Sequence, residues 1–66
     1  MMDQSEDVRL LSEREVGRRL EVSRHSLRYW RARGEGPPWC RVGRRLVRYP
    51  LAELRRWIAE RAAAQR

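Results

Sequence analysis

The chain contains no lysine, one cysteine (Cys40) and one histidine (His25). A lone cysteine cannot form an internal disulfide. A four-ligand structural zinc would have to find three partners elsewhere, so neither a metal nor any other cofactor is expected. No run approaches the ~20 apolar residues that a membrane-spanning helix needs. The start, MMDQSEDV, is acidic, the reverse of a secretory signal. With the single thiol favouring a reducing setting, the expected location is the cytoplasm. Also missing are a defensible Ser/His/Asp or Cys/His spacing, a pair of carboxylates in a pocket and a phosphate-cradling glycine loop, so an enzyme is not expected.

What is present is positive charge. Sixteen basic residues, all of them arginine, against nine acids give a net charge of +7 in only 66 residues, with a pI near 11.4. That is the footprint of a polyanionic partner. Two readings of the all-arginine usage stay open: a GC-rich coding sequence, or the suitability of guanidinium for bidentate contact with guanine and phosphate. A chain of this length makes one domain and buries only about 60% of its unfolded surface. Three tryptophans fit the need to use large apolar residues well.

Residues 1–9 carry three acids and little apolar pattern, so a flexible tail is expected there. The domain itself is expected over 10–62, with 63–66 fraying. Ser12-Glu13-Arg14-Glu15 reads as a capping box, with Leu11 and Val16 as a hydrophobic staple. A first helix then runs from about Glu13 to Leu20, with Val16 and Leu20 facing inward. Gly17 costs helix propensity but leaves room for a second helix to come close. Glu21-Val22-Ser23 is a turn. Ser23 caps a second helix from about Arg24 to Arg33, Val22 and Leu27 repeat the staple, and Gly34 is a left-handed stop. Val22, Leu27 and Trp30 form its apolar side and Arg24, His25, Arg28 and Arg31 the other. Two such helices joined by a turn this short make a helix-turn-helix.

Gly34 to Pro38 reads as a loop. Trp39–Val42 and Arg45–Tyr49 are β-prone and flank Gly43-Arg44, a two-residue type II′ hairpin with glycine first. Val47 and Tyr49 share one face of the second strand, and Leu46 and Arg48 the other. Pro50 fits the first turn of a last helix, on which Leu51, Leu54, Trp57, Ile58 and Ala62 mark an inward stripe. Cys40 reads as a small buried hydrophobe. Trp39 is either core or a contact at the wing base. The expected architecture is mainly α with a small β-hairpin: a helix-turn-helix, a two-stranded wing and a C-terminal helix.

LSEREVGRRLEVSRHSLRYWRARG, followed by PPWCRVGRRLVRY and PLAELRRWI, resembles the small winged helix-turn-helix proteins of the excisionase family, within the wider MerR-like superfamily. The likeness covers Leu10 to about Glu60. Its specific pieces are Val22-Ser23-x-x-Ser26-Leu27-x-Tyr29-Trp30, the Pro-Pro loop, and Gly43-Arg44-Arg45 followed by Arg48-Tyr49. The resemblance implies that the second helix enters the major groove of DNA while the wing reaches the adjacent minor groove or its phosphates. It also implies a recombination directionality factor for an integrase, or a small transcription regulator. The long dimerisation helix and effector domain of MerR regulators have no counterpart here, which turns the expectation away from effector sensing.

The candidate DNA contacts follow. On the second helix they are Arg24, His25, Ser26, Arg28, Tyr29 and Arg31. Arg24 and His25 sit at its start, where helix-turn-helix readers touch base edges, and Arg28 lies one turn on. Tyr29 and Arg31, flanking an inward Trp30, suit the DNA backbone instead. For the basic face as a whole the alternative is phosphate contact without base reading. On the wing the candidates are Arg41, Arg44, Arg45 and Arg48; the tip pair, Arg44 and Arg45, suits either a narrow minor groove or simple phosphate attraction. Arg14, Arg18 and Arg19 on the first helix are backbone clamps or plain surface. Trp30, Trp57 and Leu27 read as core. Expected partners are double-stranded DNA, neighbouring copies on DNA and an integrase or recombinase, with nucleoid association as the corollary. The competing class is a protein-interaction module whose basicity is incidental. A single-stranded RNA binder would want aromatics exposed on a wider sheet.

Overall fold

The computed structural model describes residues 8–65, so the expected tail at 1–7 and the terminal Arg66 lie outside the described residues. The elements run β1 (Leu10–Ser12), α1 (Glu13–Leu20), α2 (Arg24–Ala32), β2 (Cys40–Val42), β3 (Leu46–Pro50) and α3 (Leu51–Ala64). Among them no helix is long and apolar enough to cross a membrane. The architecture is a winged helix-turn-helix, mainly helical, as expected from the sequence.

Both expected N-caps form. The Ser12 hydroxyl accepts the Glu15 amide at 3.1 Å, and the Ser23 hydroxyl accepts the Ser26 amide at 3.0 Å. Each fills an orphan donor at a helix start, worth about 1 kcal/mol. The reciprocal arm of the first capping box is replaced: the Glu15 carboxylate lies 3.7 Å from Arg9 and 3.8 Å from Arg19. Between the helices Glu21 takes the left-handed conformation (φ 57°, ψ 43°), and the Val22 amide donates back to the Gly17 carbonyl at 3.0 Å. Gly17 explains the tightness of this corner. A Cβ there would stand 2.9 Å from the Val22 carbonyl oxygen and 3.7 Å from Leu27 Cδ1. At the far end of α2 the Gly34 amide donates to Arg31 and the Glu35 amide to Trp30, the paired bonds of a Schellman stop, with Gly34 at φ 72°.

The sheet departs from expectation in three places. It has three strands in the order β1-β3-β2, both pairings antiparallel, so the hairpin is not a free-standing two-stranded wing. Leu10 pairs with Pro50, Leu11 with Tyr49 and Ser12 with Arg48. The segment just before α1 is therefore a strand as well as a cap. Second, Val42 pairs with Leu46, which makes the loop three residues, Gly43-Arg44-Arg45, rather than a two-residue turn with Arg45 in the strand. Gly43 has φ 72° at the head of that loop. This register keeps Val47 and Tyr49 on the face that Leu11 joins; a one-residue slip would turn them to solvent. Third, Pro50 ends β3 and serves as the N-cap of α3 instead of entering its first turn. The first amide of α3, at Leu51, donates to the Arg9 carbonyl at 3.0 Å, which draws Arg9 out of the expected tail and into the fold.

The core is Leu11, Val16, Leu27, Tyr49, Leu51 and Leu54, one or two residues from every element but β2. Burying a leucine of this kind contributes about 2 kcal/mol. Trp30 and Trp57 close one side, ring centroids 6.3 Å apart and tilted, within the range where aromatic edges and faces attract. The inward stripe of α3 stops there: Ile58 and Ala62 are exposed, lining with Leu20 and Val22 an open groove that no described element fills. Cys40 is half-buried rather than buried.

Candidate nucleic-acid interface

Arg24, Arg28 and Arg31 sit at i, i+4 and i+7 of α2 and so form one stripe along it. All three converge on a single carboxylate, that of Glu13 at the first position of α1. Arg31 Nη1 donates to Glu13 Oε2 at 2.8 Å. Arg24 Nε lies 3.3 Å and Arg28 Nε 3.4 Å from Glu13 Oε1. The two oxygens are used differently. Arg31 is 17% exposed and also donates to the Tyr49 hydroxyl at 2.8 Å, so its guanidinium is locked between α1 and β3. Arg24 and Arg28 are 60% and 62% exposed, and their contacts are longer and screened by solvent.

Through its bonds to Glu13 and Tyr49, Arg31 ties α2 to the rest of the domain, and its guanidinium also lies 5.7 Å from the Trp39 ring centre. Arg41 approaches the same ring at 5.6 Å. Trp39, half-buried against the core, is thus both a core neighbour and the base of the wing, flanked by one arginine from the helix and one from β2.

Burial acts to raise the Glu13 pKa, but hydrogen bonds from Arg31 and Arg24, with the charges of Arg31 and Arg28, outweigh it and hold the carboxyl below its ordinary value. Burial likewise acts to lower the Arg31 pKa, and the hydrogen bonds to Tyr49 and Glu13 overcome it, leaving Arg31 above its ordinary value. Both groups are ionised across the physiological range, so the hub carries one negative and three positive charges.

Between α2 and the wing runs an open cleft of about 310 Å³. Arg14 of α1, Arg24, Arg28 and Arg31 of α2, and Arg45 and Arg48 of the wing all line it, with Glu13 at its edge. Arg48 donates to the Val47 carbonyl at 2.8 Å, which holds its side chain back along β3. Six of the expected contact residues are thus gathered around one concave, basic surface. The others lie outside that lining. His25 is exposed near the start of α2, and Ser26 is half-buried with its hydroxyl accepting that of Ser23 at 3.1 Å. Tyr29 is exposed and stacks on Arg33 at 5.3 Å. Arg44 is exposed in the loop at the wing tip, and Arg41 points to Trp39. Arg18 and Arg19 are exposed on α1, Arg19 beside Glu15.

A family model described as a helix-turn-helix domain matches residues 10–62. The chain belongs to that family. No curated protein and no solved structure matches it. Membership in the helix-turn-helix domain family brings DNA binding with it, and the recognition helix, wing and basic cleft of this helix-turn-helix protein are a surface suited to that task.

Two residues of the site escaped the sequence reading. Glu13 was legible only as a member of a capping box, and Tyr49 only as a strand residue sharing a face with Val47 and as part of the Arg48-Tyr49 pattern. A signal for Glu13 did exist: three arginines spaced along one helical stripe attract an anion, and an acid at the first position of the preceding helix is a protein candidate. Tyr49 carried no such signal, because its hydroxyl meets Arg31 only through the three-stranded sheet.

Proposed function

We propose that this helix-turn-helix protein reads double-stranded DNA with Arg24 and Arg28 in the major groove, while Arg44 and Arg45 of the wing engage the neighbouring backbone or minor groove. It acts, on this reading, as an excisionase-type recombination directionality factor: several copies occupy repeated sites and bend the DNA to direct an integrase. The observation that carries the DNA-reading part is the cleft in which arginines from α1, α2 and the wing converge. Arginine presents the fork that matches the O6 and N7 of guanine. His25, exposed beside Arg24, lies where a second base edge would be met. Arg14, Arg18 and Arg19 supply backbone contacts.

The excisionase role is supported by the pattern from Val22-Ser23 through Gly43-Arg44-Arg45 and by the size of the surface. A single small reading head offers a short footprint, so selectivity at one genomic location calls for neighbouring copies or a partner bound beside it.

The test is selection of sites from a random duplex pool at physiological salt, followed by footprinting on the DNA around the gene. The expected result is short sites repeated head to tail beside an integrase attachment site. Enrichment of a site over a promoter instead would replace the excisionase role with that of a transcription regulator. With about six phosphates neutralised, log K is expected to fall against log salt with a slope of about −5. A slope near zero would overturn the electrostatic basis of binding and leave a protein-interaction module as the better description.

A further inference from the structure

The contacts at Glu13 differ in which atom of each arginine they use. Arg24 and Arg28 both approach Oε1 through Nε, the inner nitrogen of the guanidinium, whereas Arg31 approaches Oε2 through a terminal nitrogen. A guanidinium carries five donors in a rigid plane. In Arg24 the hydrogen bond through Nε leaves the terminal pair free and restrains the plane in which that pair points, while Arg28 is drawn to the same oxygen by charge. Those two terminal nitrogens are the ones that can fork onto a guanine edge. The carboxylate itself is only 12% exposed and is held in place by its short bond to Arg31, which Tyr49 secures from the other side.

We infer that Glu13 is a specificity-determining positioning residue, which braces Arg24 by its inner nitrogen and holds Arg28 beside it by charge, and so directs their outer edges to guanine in preference to phosphate. The inference rests on the DNA-reading function proposed above. Two physical consequences distinguish a brace from a bystander. An arginine on a long flexible stem loses side-chain entropy when it docks, and part of that loss is already met when the guanidinium is oriented beforehand. A phosphate brought to Arg24 or Arg28 would also stand close to the Glu13 carboxylate and be repelled by it, whereas the guanine O6 and N7 are neutral acceptors and are not. Glu13 thus favours bases twice, by orientation and by exclusion. The sign is opposite to that of a simple electrostatic contact: an acid inside a DNA-binding surface weakens binding to DNA at large while sharpening the choice among sequences.

The experiment compares wild type and Glu13→Gln on the duplex selected by the wild-type protein and on a scrambled duplex of the same length and salt, and repeats the site selection with each. Glutamine has the same shape without the charge. The variant is expected to bind scrambled DNA as tightly as wild type or more so and to bind the selected site less tightly. The ratio of the two affinities should fall about tenfold, the scale of one bidentate base contact. Guanine preference should weaken at the positions facing Arg24 and Arg28 and remain elsewhere. An unchanged ratio and an unchanged preference would overturn the inference. So would a uniform loss on both duplexes, the mark of a merely structural residue. If Glu13→Gln is unfolded at the assay temperature, the same comparison is made with Glu13→Asp, which keeps the charge but draws the carboxylate back by one methylene from Arg24 and Arg28, and the ratio should again fall. Wild-type protein that fails to bind any duplex would sink the DNA-reading function itself. Wild type that binds selectively, with a variant that keeps the selectivity, would sink only the role of Glu13.

Discussion

Replacing Arg31 by methionine separates the two roles that an arginine on a recognition helix can play. In the structure its guanidinium makes one charge-assisted bond to Glu13 and one to the Tyr49 hydroxyl, both at 2.8 Å. A hydrogen bond involving a charged group contributes about 1.5–3 kcal/mol. Tyr49 is fully buried, so its hydroxyl would lose this partner within the core, at a cost of about 1–3 kcal/mol. Two effects offset part of this. Glu13 keeps Arg24 and Arg28, and methionine spares the desolvation of a guanidinium while still covering Trp39. The net loss expected is about 2 kcal/mol, a large share of the roughly 3–10 kcal/mol available to a domain of this size. It corresponds to a fall in Tm of about 10 °C. The assay is thermal and urea unfolding followed by circular dichroism, with Arg33→Met as the control, because Arg33 is exposed and its guanidinium meets the exposed Glu35 and the Tyr29 ring. Tyr49→Phe completes a double-mutant cycle and should show coupling of about 1 kcal/mol with Arg31→Met. An Arg31→Met variant as stable as the Arg33→Met control would refute the internal anchor and return Arg31 to the DNA backbone.

Other outcomes follow from the same geometry. Because the folded-state pKa of Glu13 lies below its ordinary value of 4.5, the unfolded chain takes up the proton first on acidification. The stabilisation is complete above that ordinary value and is lost as pH falls through the folded one; urea midpoints measured downward from pH 6 should show this decline, and Glu13→Gln should flatten it. Gly17→Ala gains about 1 kcal/mol of helix propensity but drives a methyl to 2.9 Å from the Val22 carbonyl oxygen. A net loss of about 1–2 kcal/mol is expected from such crowding, and a rise in Tm would contradict the close approach. Arg44→Ala and Arg45→Ala should each weaken binding similarly on selected and scrambled duplexes and reduce the salt slope by about 1, as titrations at several salt concentrations would reveal.

The helical part of this fold was readable because its signals are local. Ser12, Ser23 and Gly34 act on amides and carbonyls within a few residues of themselves, so their chemistry is visible in any window of sequence. The missed elements depend on distant partners. Leu10–Ser12 is too short to display a two-residue period and becomes a strand only because β3 runs beside it. The three-residue loop follows from the need to bring Tyr49 and Val47 onto the face of Leu11, a requirement set by the sheet rather than by Gly43. Ile58 and Ala62 continue the spacing of Leu51, Leu54 and Trp57, yet spacing says nothing about whether an element stands opposite. At the site, sequence gathered the arginines and set Arg31 apart from Arg24 and Arg28 by its place beside the inward Trp30, but it gave no sign of an internal partner. Only Tyr49, reached through the sheet, singles out Arg31 as the locked one.

The pairing of Leu10 with Pro50 and the bond from the Leu51 amide to the Arg9 carbonyl also set an order of assembly during synthesis. The caps and stop of α1 and α2 lie close by in the chain, but helices of eight and nine residues are marginal alone and wait for Tyr49, Leu51 and Leu54 to cover them. The central strand of the sheet is made some fifteen residues after α2, and its outer neighbour β1 waits, unpaired, for that strand to emerge. Closing a loop from position 10 to position 50 costs chain entropy that local helical contacts do not. Tyr49 arrives only with that closure. Until then Arg31 has no hydroxyl to lock against. The closure that seats the wing is therefore also the step that fastens α2 to the sheet.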